Sequence, residues 1–306
     1  MYNKTSAPVC DDALCEKLRA LTAQHKKIQN FSLLIPFCAI VFCFFGAVLS
    51  LLRKEWLVYL FIIAIIAALL VSSMSKQKVV KHKKLIRETL TCDALRSAFE
   101  LIEYSPETHI DRQFIIDGRL RFEWNICEGN DFFQARYKGV EFMFSDVQLI
   151  HYKKGESGYN IKRFFGQWLV VKLAQTIEPP VIITERIIAN PGWFFNKSKS
   201  CIETENPAFN EKFIIECNDP YMASYVLTPH CMEYIMSADY VAKGKTHMCF
   251  TGNCVHVAID TAMNFFEWRT NSDDIQMLRR KIQGQVKYIT NIIDELLLNK
   301  ELFKPD

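Results

Sequence analysis

The most suggestive cluster of chemistry-bearing side chains lies in the run KTHMCFTGNCVHVAID, where His247, Cys249, Cys254 and His256 stand close together. Imidazole nitrogen and thiolate sulfur are the donor set of tetrahedral zinc sites. The spacing works against that chemistry. With Gly252 and Asn253 as a two-residue turn, Cys249 falls opposite His256, and all four side chains leave one face of a hairpin. His247 and Cys254 then stand at opposite ends of that face, so at most three donors converge. Cys249, Cys254 and His256 are therefore the metal candidates. The plainer reading is buried thiols and half-exposed histidines on a sheet, with no metal expected.

Other chemistries leave weaker traces. GESG at Gly155 to Gly158 lacks the G-x-S-x-G order of a nucleophile elbow. No Walker-type glycine loop, dinucleotide fingerprint, H-E-x-x-H or calcium loop occurs. No catalytic residue and no cofactor is assigned, which leans away from an enzyme without excluding one whose site residues are dispersed. Asp146 in FSDVQL and Glu185 in ITERI sit in strand-like patterns and read as acids on a water-facing side.

The remaining candidates point to a membrane surface. Lys76, Lys78, Lys81, Lys83, Lys84 and Arg87 follow a long apolar run, and Trp193 stands in the aromatic and basic segment NPGWFFNKSKS. The runs at 31–52 and 56–71 are uncharged, and the first is about 33 Å long as a helix, enough to cross a hydrocarbon core of about 30 Å. Arg53, Lys54 and Glu55 between them mark a hairpin tip. Basic residues outnumber those of the tip on both outer flanks, so the positive-inside rule predicts an integral membrane protein with two spans and both termini cytoplasmic.

Around the hairpin, periodicity predicts an amphipathic helix within 1–30 (Leu14, Leu18, Leu21, Ile28) and a basic stalk helix over 76–105. Strand-like runs begin at about Ile110: RQFIIDGRLRFEW, FFQARYKGVEFMFSDVQLIHYKK, KRFFGQWLVVKLAQ, PPVIITERII and EKFIIECN. Asp219 before Pro220, and Thr228 before Pro229, each signal a helix start. The run 273–302 carries one apolar stripe, Ile275, Leu278, Ile282, Val286, Ile289, Ile293 and Leu297. The expected fold class is α+β: a transmembrane helical hairpin (31–75), then a cytoplasmic antiparallel-sheet domain with capping helices (106–270) and a C-terminal amphipathic helix (271–306).

Composition agrees with a folded chain. Of 306 residues, half are hydrophobic, and 37 basic side chains against 34 acidic ones give a net charge of +3. That excess is too small to argue for nucleic acid. The 11 scattered cysteines read as reduced thiols rather than a disulfide framework.

The blocks ARYKGVEFMFSDVQL, RFFGQWLVVK and FNEKFIIECNDPYMASYVLTPHCMEYI resemble the bacterial domain-of-unknown-function family 3137. The resemblance implies two N-terminal spans in a bacterial inner membrane followed by a cytoplasmic domain, and it supplies no catalytic residue. The expected function is a membrane-anchored interaction or scaffold module. Its partners would be the lipid bilayer and a second copy or another protein docked on the apolar helix faces. The alternatives are an enzyme acting on a membrane-proximal substrate and a lipid-binding or sensing domain.

Overall fold

A computed structural model describes residues 55–154, 158–186, 201–242, 244–266 and 275–297, with the single positions 20, 23, 27 and 302. The chain forms two compact units, Met1–Leu90 and Thr91–Asp306. Helix α1 (Glu55–Ala98) starts in the first.

The expected membrane hairpin is corrected here. Among the described residues no helix is long and apolar enough to cross a membrane. The run 31–52 and the preceding amphipathic helix lie outside those residues, three isolated helical positions apart. The run 56–71 is not a short return leg. It is the first part of the 44-residue α1, roughly 66 Å long at helical rise, which carries Lys78, Lys81, Lys83, Lys84 and Arg87 on the same continuous element. The two-span inner-membrane localisation is withdrawn with it. The stalk was also expected to stay helical to Pro106, but α1 stops at Ala98. Phe99 is buried among the rings of Phe133, Tyr137 and Phe142. Glu100–Ser105 (β1) instead takes the free edge of the next strand.

The second unit is built on an antiparallel sheet. Strands β2 (Ile126–Tyr137) and β3 (Val140–Lys153) form a hairpin whose turn residues Lys138 and Gly139 both have positive φ, 50° and 82°, the primed turn that suits strand twist. Strand β4 (Tyr159–Glu185) follows. After it come β5 (Cys201–Ile202), helix α3 (Pro207–Lys212 in sequence order after the short α2, Arg112–Asp117) and β6 (Phe213–Glu216). Then come α4 (Pro220–Val226), α5 (Pro229–Ala242), β7 (Lys245–Asp260) and α6 (Ile275–Leu297). The sheet order is β1-β2-β3-β4-β6-β5, with β7 also paired to β4. Both faces of β4 are buried, Phe164, Trp168 and Val170 on one and Leu169, Val171 and Leu173 on the other, so its sequence reads as a near-continuous apolar run.

The run FFQARYKGVEFMFSDVQLIHYKK divides into β2 and β3, KRFFGQWLVVKLAQ and PPVIITERII join in β4, and two further runs differ in kind. RQFIIDG makes α2 rather than a strand, because the Asp111 carboxylate caps it by accepting from the Gln113 N–H at 2.7 Å. Ile115 alone enters the core, while Phe114 and Ile116 stay exposed. The run 245–260 is not a hairpin but one strand, paired with β4 from His247 (opposite Thr184) to Ile259 (opposite Gln167). Gly252, at φ +54°, bends it without reversing it.

That bend, with register shifts between Lys172, Ile177 and Val181, curls the β4–β7 pair back on itself. A Cβ on Gly244 would lie 2.7 Å from the Asp260 carbonyl oxygen, so the start of β7 rests against its own end. Ile110, Ile115 and Leu120 fill the inside of the curl against Phe164, Trp168 and Ala258. The helical starts behave as their sequence signals require: Asp219 accepts from Tyr221 N–H at 2.9 Å and Thr228 Oγ1 from Cys231 N–H at 3.3 Å.

Candidate functional site

The curl creates a pocket by bringing strand ends together. Its walls are the head of β4 (Lys162, Arg163), the tail of β4 (Thr184), β6 (Ile214, Glu216) and both ends of β7 (Lys245, His247, Asp260), roofed by Arg121, Phe122 and Glu123 of the segment before β2. The cavity is about 350 Å³. Phe122 holds the roof in place, packing 5.1 Å from Phe164 and edge-on, at 5.0 Å, to His247.

Four cationic side chains face three carboxylates here, a formal excess of one positive charge when His247 is neutral. Two cations are matched: Arg121 pairs with Glu216, and Arg163 Nη2 stands 3.4 Å from Glu123. Lys162 and Lys245 have no acidic partner among the described residues, nor does Asp260 have a basic one. Lys162 lies 5.0 Å over the Phe165 ring. The buried Arg163 Nε has no hydrogen-bond acceptor among the described residues. Burial, reinforced by the nearby Lys245 charge, pushes the His247 pKa down to about 4, so its imidazole is neutral near pH 7.

The metal candidates do not converge. Along β7, Cys249 pairs with Ile182, Cys254 with Lys172 and His256 with Val170, so they stand at separate steps of a ladder whose bend falls between Cys249 and Cys254. Among the described residues no group of three or more His, Cys, Asp or Glu side chains could hold a metal ion. Burial pushes the Cys249 thiol up to about 12 and raises Cys254, while it lowers His256 to about 4. His256 receives the Trp168 indole N–H at 3.4 Å.

Of the surface candidates, Lys78, Lys81 and Lys84 are exposed and Lys83 and Arg87 half-buried, with Lys84 4.0 Å from Glu88. The side chains of Lys76 and Trp193 lie outside the described residues. Asp146 is not water-facing but fully buried, accepting from Gln167 Nε2 at 3.1 Å and from the Phe265 N–H at 2.7 Å. Glu185 accepts from the Thr246 N–H at 3.0 Å.

The sequence reading missed the pocket residues. Their only local trace is a charge on either side of Phe122 in RLRFEW, and basic residues at the heads of two strands, KR at 162–163 and Lys245. Nothing in the spacing announces that both ends of one strand meet.

Residues 162–298 match the profile of a family described as "Protein of unknown function (DUF3137)". This segment belongs to that family. The DUF3137 segment runs from the head of β4 through α6, so it supplies every pocket wall except the roof at Arg121, Phe122 and Glu123. Of the three resembling blocks, RFFGQWLVVK and FNEKFIIECNDPYMASYVLTPHCMEYI fall inside it and ARYKGVEFMFSDVQL precedes it. No curated protein and no solved structure matches the chain.

Proposed function

We propose that the second unit is a binding module that takes up a small polar molecule in the β4–β7 pocket. The observation that carries this reading is the cavity of about 350 Å³ with charged groups directed at it, within the size range of small-molecule sites. Binding is favoured over catalysis because the groups best suited to chemistry are in their inert forms. His247, with its pKa at about 4, is a weak base, and the raised thiols of Cys249, Cys254 and Cys127 stay protonated near neutrality. The apolar stripe of α6, expected as a self-association face, supports a scaffold less well. Leu278, Ile282, Val286, Ile289 and Ile293 are all buried in the folded chain.

Thermal unfolding of the full chain against a panel of small charged and uncharged metabolites tests the reading. One or more compounds should raise the Tm, and filling the cavity by Thr184→Trp should abolish the rise. A rise that persists in Thr184→Trp places the binding elsewhere and removes the proposal.

A further inference from the structure

We infer that the ligand of this pocket carries a phosphate or carboxylate group, held between Lys162 and Lys245, and a hydroxyl or ammonium donor directed at Asp260. The inference rests on the reading of the pocket as a binding site and goes on to what it binds. Its basis is what the pocket lacks. Arg121 and Arg163 each have a glutamate partner, whereas the two lysines on the cavity wall have no acid among the described residues. Two ammonium groups without an acid at one cavity call for an oxygen-rich anion, since one phosphate or carboxylate accepts charge-assisted hydrogen bonds from both.

Asp260 sets a second condition. A bare anion would meet a carboxylate at the far end of β7, so the ligand must present a donor there. The cavity, at the small end of ligand sites, admits a molecule of sugar-phosphate or amino-acid size and is too small for a dinucleotide. Thr184 and the neutral His247 each add a polar contact for such a molecule. Phosphate on a free metabolite and phosphate on a lipid headgroup share this chemistry.

The test is calorimetric titration of the full chain with glycerol 3-phosphate, with glycerol and with spermidine. Glycerol 3-phosphate should bind, and binding should weaken with added salt. Lys162→Ala together with Lys245→Ala should lower its affinity about tenfold or more, the scale of one lost charge-assisted hydrogen bond, while the corresponding arginine variants retain it. Both lysines are exposed, and circular dichroism establishes that the variants fold. Phosphatidylglycerol vesicles that displace glycerol 3-phosphate assign the phosphate to a headgroup. Vesicles that leave the titration unchanged assign it to a free metabolite. Equal binding of glycerol, preference for spermidine, or unchanged affinity in the alanine variants overturns the inference while leaving the pocket as a site. Absence of binding by all probes, together with no Thr184-dependent rise in Tm, overturns both.

Discussion

Two polar clusters share the same strands, and they are finished differently. Arg163 and Gln167 both lie on β4, and Asp260 is followed directly by Thr261. Around Gln167 every group is answered from within the protein. Its amide donates to Asp146 at 3.1 Å and to the Met263 carbonyl at 3.0 Å, its oxygen accepts from Thr261 Oγ1 at 3.0 Å, and the Phe265 N–H closes onto Asp146 at 2.7 Å. Around Arg163, two lysines and one aspartate on the cavity wall are left without ion-pair partners among the described residues. Low dielectric makes a half-satisfied buried network costly. The fold therefore completes the network it buries and leaves open the one that faces the cavity. The first cluster fastens the 261–266 loop to the sheet, and the second awaits a ligand.

The largest effect should come from breaking the buried cluster. Asp146→Ala strips the acceptor from the Gln167 amide and the Phe265 N–H at once, a loss of about 2–6 kcal/mol in urea unfolding at about 1–3 kcal/mol per orphaned donor. Lys245→Ala, on the open cluster, should stay within about 0.5 kcal/mol of the parent chain. Equal costs for the two would erase the distinction between them.

Next in size is the curl that places the clusters side by side. A Cβ on Gly166 would stand 1.9 Å from the Ile259 carbonyl oxygen, a backbone atom that cannot move alone. Gly166→Ala should cost about 2–3 kcal/mol by forcing β4 and β7 apart. At Gly252 nothing lies within 4 Å, and only the positive φ resists a side chain, so Gly252→Ala should cost about 1 kcal/mol. A reversed order would mean that the bend at Gly252, rather than the close approach at Gly166, sets the curl.

The sequence announced the parts of this fold that depend on neighbours along the chain. Asp219 with Pro220, Thr228 with Pro229 and the stripe of α6 are local signals, and they mark helix starts and a buried helix face as expected. The turn at Lys138 and Gly139 is local as well, yet it lies inside FFQARYKGVEFMFSDVQLIHYKK, which reads as one strand-like run. What failed depended on distant partners. Gly252 and Asn253 suit a tight turn, but a strand long enough to pair with β4 throughout gains more ladder hydrogen bonds by bending than by reversing. Phe99 leaves the helical pattern because rings far along the chain receive it. The pocket is legible least of all, since Lys162 and Thr184 meet only after β4 has curled.

Acid should weaken the chain through one histidine from each kind of surrounding, His256 in the dry core and His247 on the cavity wall. Both pKa values fall from 6.5 to about 4 on folding. The unfolded chain therefore binds protons first as pH drops. Stability present above pH 6.5 declines through the window between 6.5 and 4 and levels off below it. Between pH 7.5 and 5 each histidine should account for about 2 kcal/mol, at about 1.4 kcal/mol per pH unit. Urea midpoints across that range should halve their pH dependence in His256→Gln. A slope unchanged by that substitution would show that His256 is not held neutral.

The smallest expected effect bears most directly on the contrast between the clusters. Arg121 and Glu216 form an ion pair at the pocket rim, where the arginine side chain is 64% exposed and the glutamate 16%. Water competes for the exposed guanidinium, so a double-mutant cycle on unfolding should give a coupling of about 0.2–1 kcal/mol, and salt should reduce it. The same cycle on Asp146 and Gln167, neither more than 1% exposed, should give more than about 1 kcal/mol and hardly respond to salt. A rim coupling as large and as salt-resistant as the buried one would mean that the cavity is closed to water and its charges hold the fold together. A weak, screened coupling is what an open site requires, because an arriving anion must be able to compete with Glu216 for Arg121 and with water for the two lysines.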